Sequence, residues 1–251
     1  MRICFFGTAS AIPYAGNGYT SFLVESAGKT VLVDTGDNAA RSMQEMGCDP
    51  LLLDAVVLTH EHADHLGAFP ALIAALDCMN RSKRLQIVVS SGLVPKVMEL
   101  LALFDYYPER MHFEMGFAQQ WHTEGMEVDL LPGNHSKYAM MSRFVTEGLT
   151  LLYTSDIRYR KGQYVVLGGR CHTLIHEATY SHVKLPEDTR HSSAFEAGLA
   201  ASEIGAGELF LCHFQKDAYE NDEEPKVEAS KTFAGEVVIP RLMQWYPIQA
   251  N

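Results

Sequence analysis

The sequence predicts a layered α/β fold. The chain has 251 residues, of which 47% are hydrophobic and 20% are charged, so it can bury the core of one large domain spanning 1–251. Short apolar runs typical of strands come first, and further strands then alternate with helical stretches. Several of the strands end in a polar residue. This order of elements is typical of layered α/β proteins.

The individual elements follow from runs of apolar and β-branched residues bounded by turn residues. Strands are predicted at residues 2–6, 21–25, 30–34, 55–58, 85–89, 128–131, 149–153, 173–176, 208–211 and 237–240. Helices are predicted at residues 38–46, 68–78, 95–104 and 192–204. The acidic stretch 217–228 predicts a solvated loop or a surface helix before the last strand. No repeat or Pro/Gly/Ser linker divides the sequence, which favours one domain.

The sequence shows no clear membrane span, secretory leader or cysteine motif. No apolar run approaches the roughly 20 residues that a membrane-spanning helix needs. The first residues resemble a secretory leader, but their apolar run stops at Gly7, which favours a first strand. Five scattered cysteines form no CxxC pair, so we expect neither a disulfide framework nor a cysteine zinc site. These features favour a cytoplasmic protein without membrane partners, and they leave its oligomeric state open, a homodimer included.

The net charge bears on the class of substrate. A formal charge of −11 disfavours binding to polyanions, because a phosphate backbone is bound through lysine and arginine. We therefore expect large nucleic acids to be unlikely substrates. A local basic patch or bound metal ions would offset this charge where they occur.

An HxHxDH pattern lies where the strand at 55–58 passes into a helical stretch. Residues two apart in an extended segment point the same way, so His60 and His62 can face one ion. The following turn presents Asp64 and His65 together. With this composition, the odds of such a pattern arising by accident are on the order of one in a thousand. The pattern therefore favours a metal site. The alternative is a solvated loop that happens to be rich in histidine.

Three further candidate ligands each follow a predicted strand. They are His135 after 128–131, Asp156 after 149–153 and His213 after 208–211. One such residue alone is more often a turn residue than a ligand, but together they supply a second site and an anionic group able to bridge two ions. The other histidines without such placement, at 112, 122, 172 and 182, are expected to be structural or at the surface.

With these motifs the chain resembles metallo-β-lactamase-fold hydrolases, and within them the ribonuclease Z group, over nearly its whole length. Besides the ligand series, the segments 6–8, 33–36, 176–180 and 191–193 are similar to motifs of that group. The last two narrow the subgroup, because many lactamase-like enzymes lack them. The resemblance implies a four-layer αββα sandwich.

The resemblance also implies the division of the ligands. It places His60, His62 and His135 on one ion, Asp64, His65 and His213 on the other, and Asp156 between them. The ions would be divalent, with Zn²⁺ favoured and Mn²⁺ or Fe²⁺ as alternatives. Asp34 would hold a ligand histidine in its correct tautomer, although a turn residue capping its strand is the simpler alternative.

Two departures from the ribonuclease Z pattern concern the substrate. Ala63 replaces the usual glycine, which a loop tolerates if its φ is negative. Some twenty residues separate His135 from Asp156, without the basic insertion by which that family clamps tRNA. The segment 131–137 also resembles cyclic-phosphate phosphodiesterases of bacterial phosphonate breakdown, which lack the clamp. A small or cyclic phosphodiester is therefore the expected substrate.

The expected mechanism uses a metal-bound hydroxide as the nucleophile. Asp64 would orient it, and His191, steadied by Glu177, would protonate the leaving oxygen or stabilise its charge. A buried ion pair that only supports a helix is the alternative for Glu177 and His191. Ser192 and Ser193 are expected to cap the helix at 192–204.

Other functions remain open at this point. The same metal site can hydrolyse a carboxylic ester, thioester, lactone or β-lactam by polarising a carbonyl, or cleave RNA as ribonuclease Z does. Iron-dependent redox relatives are disfavoured because the second ligand set is complete. A non-catalytic, metal-stabilised binding module is the least favoured, because two sites and a candidate acid exceed what structure requires.

Overall fold

A computed structural model describes residues 1–164 and 171–249 of the chain. Its first sheet contains β1 (Arg2–Ala9), β2 (Gly18–Tyr19), β3 (Ser21–Ser26), β4 (Lys29–Val33), β5 (Ala55–Leu58), β6 (Leu85–Val89), β7 (Met115–Ala118) and β15 (Trp245–Pro247). Its second sheet contains β8 (Gln120–Thr123), β9 (Met126–Pro132), β10 (Met140–Thr146), β11 (Leu149–Tyr153), β12 (Thr173–Glu177), β13 (Glu208–Cys212) and β14 (Glu236–Val238). The strand orders are β15-β1-β3-β4-β5-β6-β7, with β2 beside β1, and β14-β13-β12-β11-β10-β9-β8.

Helices cover the outer face of each sheet. The first sheet is covered by α1 (Ala39–Glu45), α3 (Phe69–Cys78) and α4 (Val94–Leu103), while the one-turn α2 (Ala63–Leu66) follows β5. The second sheet is covered by α5 (Ala194–Ile204) and α6 (Glu224–Ala229). Within the described residues, no helix is long and apolar enough to cross a membrane.

The alternation of side chains along the strands builds three apolar layers. In β3, Phe22 and Val24 point between the sheets, whereas Leu23 points toward the helices that cover the first sheet. In the second sheet, Ile175 faces the other sheet and Leu174 faces α5. A sheet with both faces buried needs a helix layer on its outer side, so the result is the expected four-layer αββα sandwich.

The ends of the strands determine where functional side chains gather. Strands β4, β5 and β6 run parallel in the first sheet, and β11, β12 and β13 run parallel in the second. The carboxyl ends of parallel strands meet at one edge of a sheet. The polar residues that follow β4, β5, β11, β12 and β13 therefore meet at one edge of the sandwich.

Each of the ten predicted strands corresponds to a strand of the structure, and each of the four predicted helices to a helix. The sequence did not predict β2, β7, β8, β10 or β15, which mix polar and apolar residues or are very short. The acidic stretch contains α6, one of the two alternatives that were open. Ala63 begins α2 and is not among the residues with positive φ, so the missing glycine causes no backbone strain.

Candidate metal centre

The HxHxDH segment is held in place by a residue of the neighbouring strand end. Asp34, directly after β4, accepts hydrogen bonds from the backbone N–H of Thr59 (2.9 Å) and from its hydroxyl (2.9 Å). His62 then takes the N-cap position of α2, which places Asp64 and His65 within its single turn. The change from strand to helix therefore directs four candidate ligands into the same edge of the sandwich.

The first ligand group contains three histidines and one carboxylate. His62 Nδ1 lies 3.1 Å from His60 Nε2 and 3.2 Å from His135 Nε2. Asp156 Oδ2 lies 3.6 Å from His60 Nε2 and 3.7 Å from His135 Nε2. All but His62 are buried.

The second ligand group uses the other oxygen of the same aspartate. Asp156 Oδ1 lies 3.4 Å from His65 Nε2 and 3.2 Å from His213 Nε2, and those two nitrogens are 3.4 Å apart. Asp64 Oδ2 completes the group at 3.5 Å from His65 and 3.4 Å from His213. Asp156 thus belongs to both groups, as the sequence analysis predicted for a bridging residue.

These groups fit divalent metal ions. Metal–ligand bonds of about 2.0 to 2.1 Å in a tetrahedron place neighbouring ligand atoms roughly 3.3 Å apart, close to the separations found here. Asp156 Oδ1 is buried and has no hydrogen-bond partner among the described residues, a costly state unless a cation lies against it. Imidazole and carboxylate donors suit Zn²⁺ and similar ions.

The remote nitrogens of the histidines also have partners. His65 Nδ1 lies 2.8 Å from Asp34 Oδ2, His213 Nδ1 lies 2.9 Å from the hydroxyl of Thr179, and His135 Nδ1 lies 3.3 Å from the carbonyl of Arg190. An oxygen acceptor at Nδ1 favours the tautomer whose Nε2 lone pair faces the metal. The side chain of Asp34 therefore has the contact that the sequence analysis predicted for it.

Burial and charge favour the metal-binding protonation states of His60, His135 and Asp156. Burial lowers the pKa of His60 and of His135, which keeps these imidazoles neutral. Burial opposes ionisation of Asp156, but His213 and His65 outweigh it and lower the pKa of Asp156 well below its usual value. Neutral imidazoles around an ionised carboxylate are the forms that bind a divalent cation. Burial also opposes protonation of His65, but Asp156 and Asp34 outweigh it and raise the pKa of His65, so an ion that binds there must displace this proton.

Three residues of this edge have left-handed backbone conformations. The φ angles of Asp34, Ser155 and His213 are 57°, 54° and 60°. Such angles are uncommon for residues other than glycine and cost free energy, and they concentrate at functional sites. Here each one turns the chain sharply at a strand end, so that the polar side chain faces the ligand groups.

A second pair of ionisable residues lies beside the ligands. His191 Nδ1 lies 3.1 and 3.2 Å from the two carboxylate oxygens of the buried Glu177, and its ring centre lies 4.6 Å from that of His135. Burial opposes protonation, but Glu177 raises the pKa of the His191 imidazolium to about 9. The structure thus brings the candidate acid and its candidate supporting carboxylate together beside the ligand His135.

Sequence reasoning missed the hydrogen bonds that hold Glu177. Its carboxylate accepts from the backbone N–H of Ile157 (2.6 Å), from the backbone N–H of Ser192 (3.1 Å) and from the hydroxyl of Thr179. The same Thr179 oxygen accepts a hydrogen bond from His213, so one hydroxyl connects Glu177 to a candidate metal ligand. Thr179 lies in the segment 176–180 that is similar to a ribonuclease Z motif, but its role depends on contacts between distant segments.

The serines that follow His191 have different roles. Ser193 is the N-cap of α5, where its side chain accepts from Glu196 N–H and Glu196 returns the bond, so its predicted capping role is confirmed. Ser192 does not cap the helix. Its hydroxyl donates to Ile157 O at 2.7 Å and accepts from Tyr159 N–H at 2.8 Å, because it faces inward against residues 157–159.

The four histidines that were expected to be structural or at the surface lie outside the two ligand groups that share Asp156. His112 pairs with Asp77, and His122 pairs with Asp129. The side chain of His172 accepts from the backbone of Thr150. His182 contacts Ser193 and the ring of Phe195. None of these four contacts a predicted metal ligand among the described residues.

The protein family was established by comparison of the sequence with known families. The family described as "Anti-Pycsar protein Apyc1" matches residues 1–235. That range includes all seven candidate ligands and the Glu177–His191 pair.

Curated relatives are ribonucleases. Ribonuclease Z of Lachnospira eligens is 28% identical over 138 residues, which are 54% of this chain and 45% of that enzyme. The chain thus matches less than half of the length of that relative. Ribonuclease Z of Natronomonas pharaonis is 24% identical over 297 aligned positions, covering 96% of this chain and 95% of that enzyme.

Solved structures share the fold at low sequence identity. YhfI of Bacillus subtilis, a metallo-β-lactamase fold protein, has a TM-score of 0.82 and 22% identity and covers 98% of both chains. The short form of human tRNase Z has a TM-score of 0.81 and 18% identity and covers 100% of both. A diphosphatase from the PhnP family has a TM-score of 0.71 and 16% identity and covers 99% of this chain and 98% of its own. This chain therefore belongs to the family of the Anti-Pycsar protein Apyc1, has the metallo-β-lactamase fold and is similar in sequence to ribonuclease Z.

Proposed function

We propose that this chain is a phosphodiesterase that hydrolyses a small or cyclic phosphodiester with two divalent ions, preferably Zn²⁺. The observation that carries the proposal is the shared carboxylate of Asp156, whose two oxygens belong to two separate ligand groups. A site that holds one ion does not need a carboxylate in this position. Paired ions of this kind are widespread in enzymes that cleave phosphate esters.

A pair of divalent ions suits the hydrolysis of a phosphodiester bond. Two such ions supply Lewis-acid polarisation of the phosphoryl group and make water nucleophilic at neutral pH. Asp64 contacts His65 and His213 through Oδ2, which leaves Oδ1 to orient the attacking water. This assigns to Asp64 a positioning role in addition to its place among the ligands.

His191 supplies the proton for the leaving oxygen. Its Nδ1 is occupied by Glu177, so the transferable proton is on Nε2. The raised pKa of His191 keeps the imidazolium form dominant at neutral pH. Glu177 is buried and receives two backbone N–H bonds, which fixes the direction of the ring. Hydrolysis of a carboxylic ester, thioester or lactone does not depend on an acid of this kind to the same extent, which supports the phosphodiester.

Ribonuclease Z-like cleavage of RNA is a second candidate, favoured by the names of the curated relatives. Two observations favour a smaller substrate. The interval between His135 and Asp156 is filled by the β10–β11 hairpin and leaves no room for a basic insertion. The chain also has a net charge of −11, which repels a polyanion.

Metal analysis combined with a substrate panel tests the proposal. We expect about two ions per chain after reconstitution, and hydrolysis of bis-p-nitrophenyl phosphate and of a cyclic phosphodiester. A thioester, a lactone and nitrocefin should be hydrolysed poorly or not at all. One ion per chain at saturation contradicts the bridging role of Asp156, and a preference for a carbonyl substrate contradicts the phosphodiester assignment.

Precursor tRNA separates the two candidate substrates. We expect poor cleavage and weak binding of the precursor. Tight binding that weakens steeply with added salt indicates a basic docking surface and supports the ribonuclease.

A further inference from the structure

The candidate ligand His135 lies in a loop between two strands. The loop 133–139 joins β9 to β10, and the backbone N–H of Gly133 donates to the carbonyl of Ala139 at 2.8 Å to close its base. Within the loop, the backbone N–H of Ala139 approaches the carbonyl of Ser136 at 3.3 Å. His135 itself belongs to neither strand. Its position relative to the other ligands therefore depends on contacts between this loop and distant segments.

The side chain of Asn134 ties the loop to the segment that carries Asp156. Its Oδ1 accepts from the backbone N–H of Arg158 at 3.2 Å, and its amide nitrogen donates to the backbone carbonyl of the same residue at 3.1 Å. The amide nitrogen also donates to Oε1 of Gln163 at 3.2 Å. Arg158 follows the shared carboxylate by two residues, and Asn134 directly precedes His135. One side chain thus joins the backbones that carry two candidate ligands.

The hydroxyl of Ser136 ties the other side of the loop to the HxHxDH segment. It donates to Oε2 of Glu61 at 2.8 Å. Glu61 stands between His60 and His62 in the sequence, so this hydrogen bond reaches the segment that supplies two more candidate ligands. A carboxylate acceptor makes such a hydrogen bond stronger than one between neutral groups.

Together these contacts join the three segments that supply the first ligand group. That group contains His60, His62, His135 and Asp156. We propose that Asn134 and Ser136, on either side of His135, are positioning residues that hold this histidine at the first ion. The second group does not contain His135, so the two contacts act on one ion and not on the other. This inference rests on the two-ion part of the proposed function and is independent of the substrate.

The physical reason is the ordering of the loop before the ion binds. A ligand that must be ordered during binding loses conformational entropy, and this loss weakens the affinity for the ion. Loss of a side chain that orients a ligand weakens metal affinity by about 10- to 100-fold. The hydrogen bonds of Asn134 and Ser136 span 24 and 75 residues of sequence, so they order the loop through tertiary contacts.

Titration of the metal-free protein with Co²⁺, in competition with a chelator, tests the proposal. The visible spectrum of Co²⁺ follows each ion, and His62→Ala, which lacks a ligand of the first group, identifies the signal of the first ion. For Ser136→Ala and for Asn134→Asp we expect the affinity for the first ion to fall by about 10- to 100-fold and that for the second by less than about 3-fold. Asn134→Asp keeps the size and the acceptor oxygen of the side chain but removes its N–H donors.

Conservative variants and matched controls complete the test. Ser136→Thr keeps the hydroxyl and Glu61→Gln keeps an acceptor oxygen, so both should bind the first ion nearly as the wild type does. Ser202→Ala and Asn221→Ala are the controls. Ser202 donates to the carbonyl of Thr232 from α5, and Asn221 accepts from the backbone N–H groups that follow it, at 223 and 224. Both controls should leave the two affinities unchanged.

The outcomes separate this proposal from the proposed function. Equal weakening of both ions, or unchanged affinity for the first ion, overturns the positioning role. A lower unfolding temperature of the metal-free variants with full affinity for the first ion assigns the two side chains to stability alone and also overturns it. If the wild type binds one ion, the two-ion function fails. The positioning role is then supported if Ser136→Ala and His62→Ala both weaken that ion, and it is overturned if Ser136→Ala leaves the ion bound as tightly as in the wild type.

Discussion

Replacing His191 with alanine separates general-acid catalysis from a structural role of the Glu177–His191 pair. With a pKa of about 9, the imidazolium outnumbers the neutral ring by about 100 to 1 at pH 7, so nearly every molecule carries the proton. The ring is 21% exposed and does not belong to either ligand group that shares Asp156. We therefore expect His191→Ala to keep its metal content while it loses the proton donor.

The expected loss of rate follows from the usual contribution of a positioned general acid to catalysis. Removal of such a group slows the reaction by about 10² to 10⁴, which corresponds to about 3 to 5 kcal/mol of transition-state free energy. The loss should appear in kcat. It should be smaller for a p-nitrophenyl ester, whose leaving group departs without a proton, than for an alkyl ester, whose alkoxide needs one.

The assay compares kcat for an aryl and an alkyl phosphodiester in the wild type and in His191→Ala, with elemental analysis of both proteins. His112→Ala is the matched control, because His112 also pairs with a carboxylate, that of Asp77, and is in none of the clusters of described residues that could hold a metal ion. Equal losses on both esters would favour charge stabilisation at the phosphoryl oxygens. Wild-type rates on both esters with full metal content would refute the reasoning and make His191 structural.

Three further predictions follow from the contacts around the ligands. Asp156→Asn should reduce bound metal below two ions per chain and abolish activity, because an amide nitrogen cannot replace a carboxylate oxygen; retention of two ions contradicts the bridge. Asp34→Asn should weaken metal affinity by about 10- to 100-fold, since it removes the charge that orients His65, and competition with a chelator measures this. The kcat of the wild type should fall as pH rises through about 9, where His191 loses its proton. Glu177→Gln should move this fall in kcat to lower pH, because the substitution removes the charge that raises the pKa of His191. A fall at the same pH in the variant contradicts the pairing.

The sequence alone determined the class of the fold and the identities of the candidate ligands. Both depend on local patterns. Alternating apolar residues determine which face of a strand is buried, and the spacing of His60, His62, Asp64 and His65 places four donors within one strand-to-helix turn. The positions of His135, Asp156 and His213 after strands were also readable, because each strand has a recognisable apolar run.

The tertiary structure decided which atoms meet. Thr179 contacts His213 across 34 residues of sequence and Arg190 contacts His135 across 55, and no local pattern predicts either pair. The left-handed turn at Asp34 directs its carboxylate to His65 and Thr59, although the sequence also allowed a simple turn residue. Strand β10 was missed for another reason: it mixes polar and apolar residues without a clear pattern, and its pairing with β9 and β11 stabilises it. Hydrogen bonds and side-chain contacts between distant segments depend on the packing of the layers, so their partners exist only once the two sheets have come together.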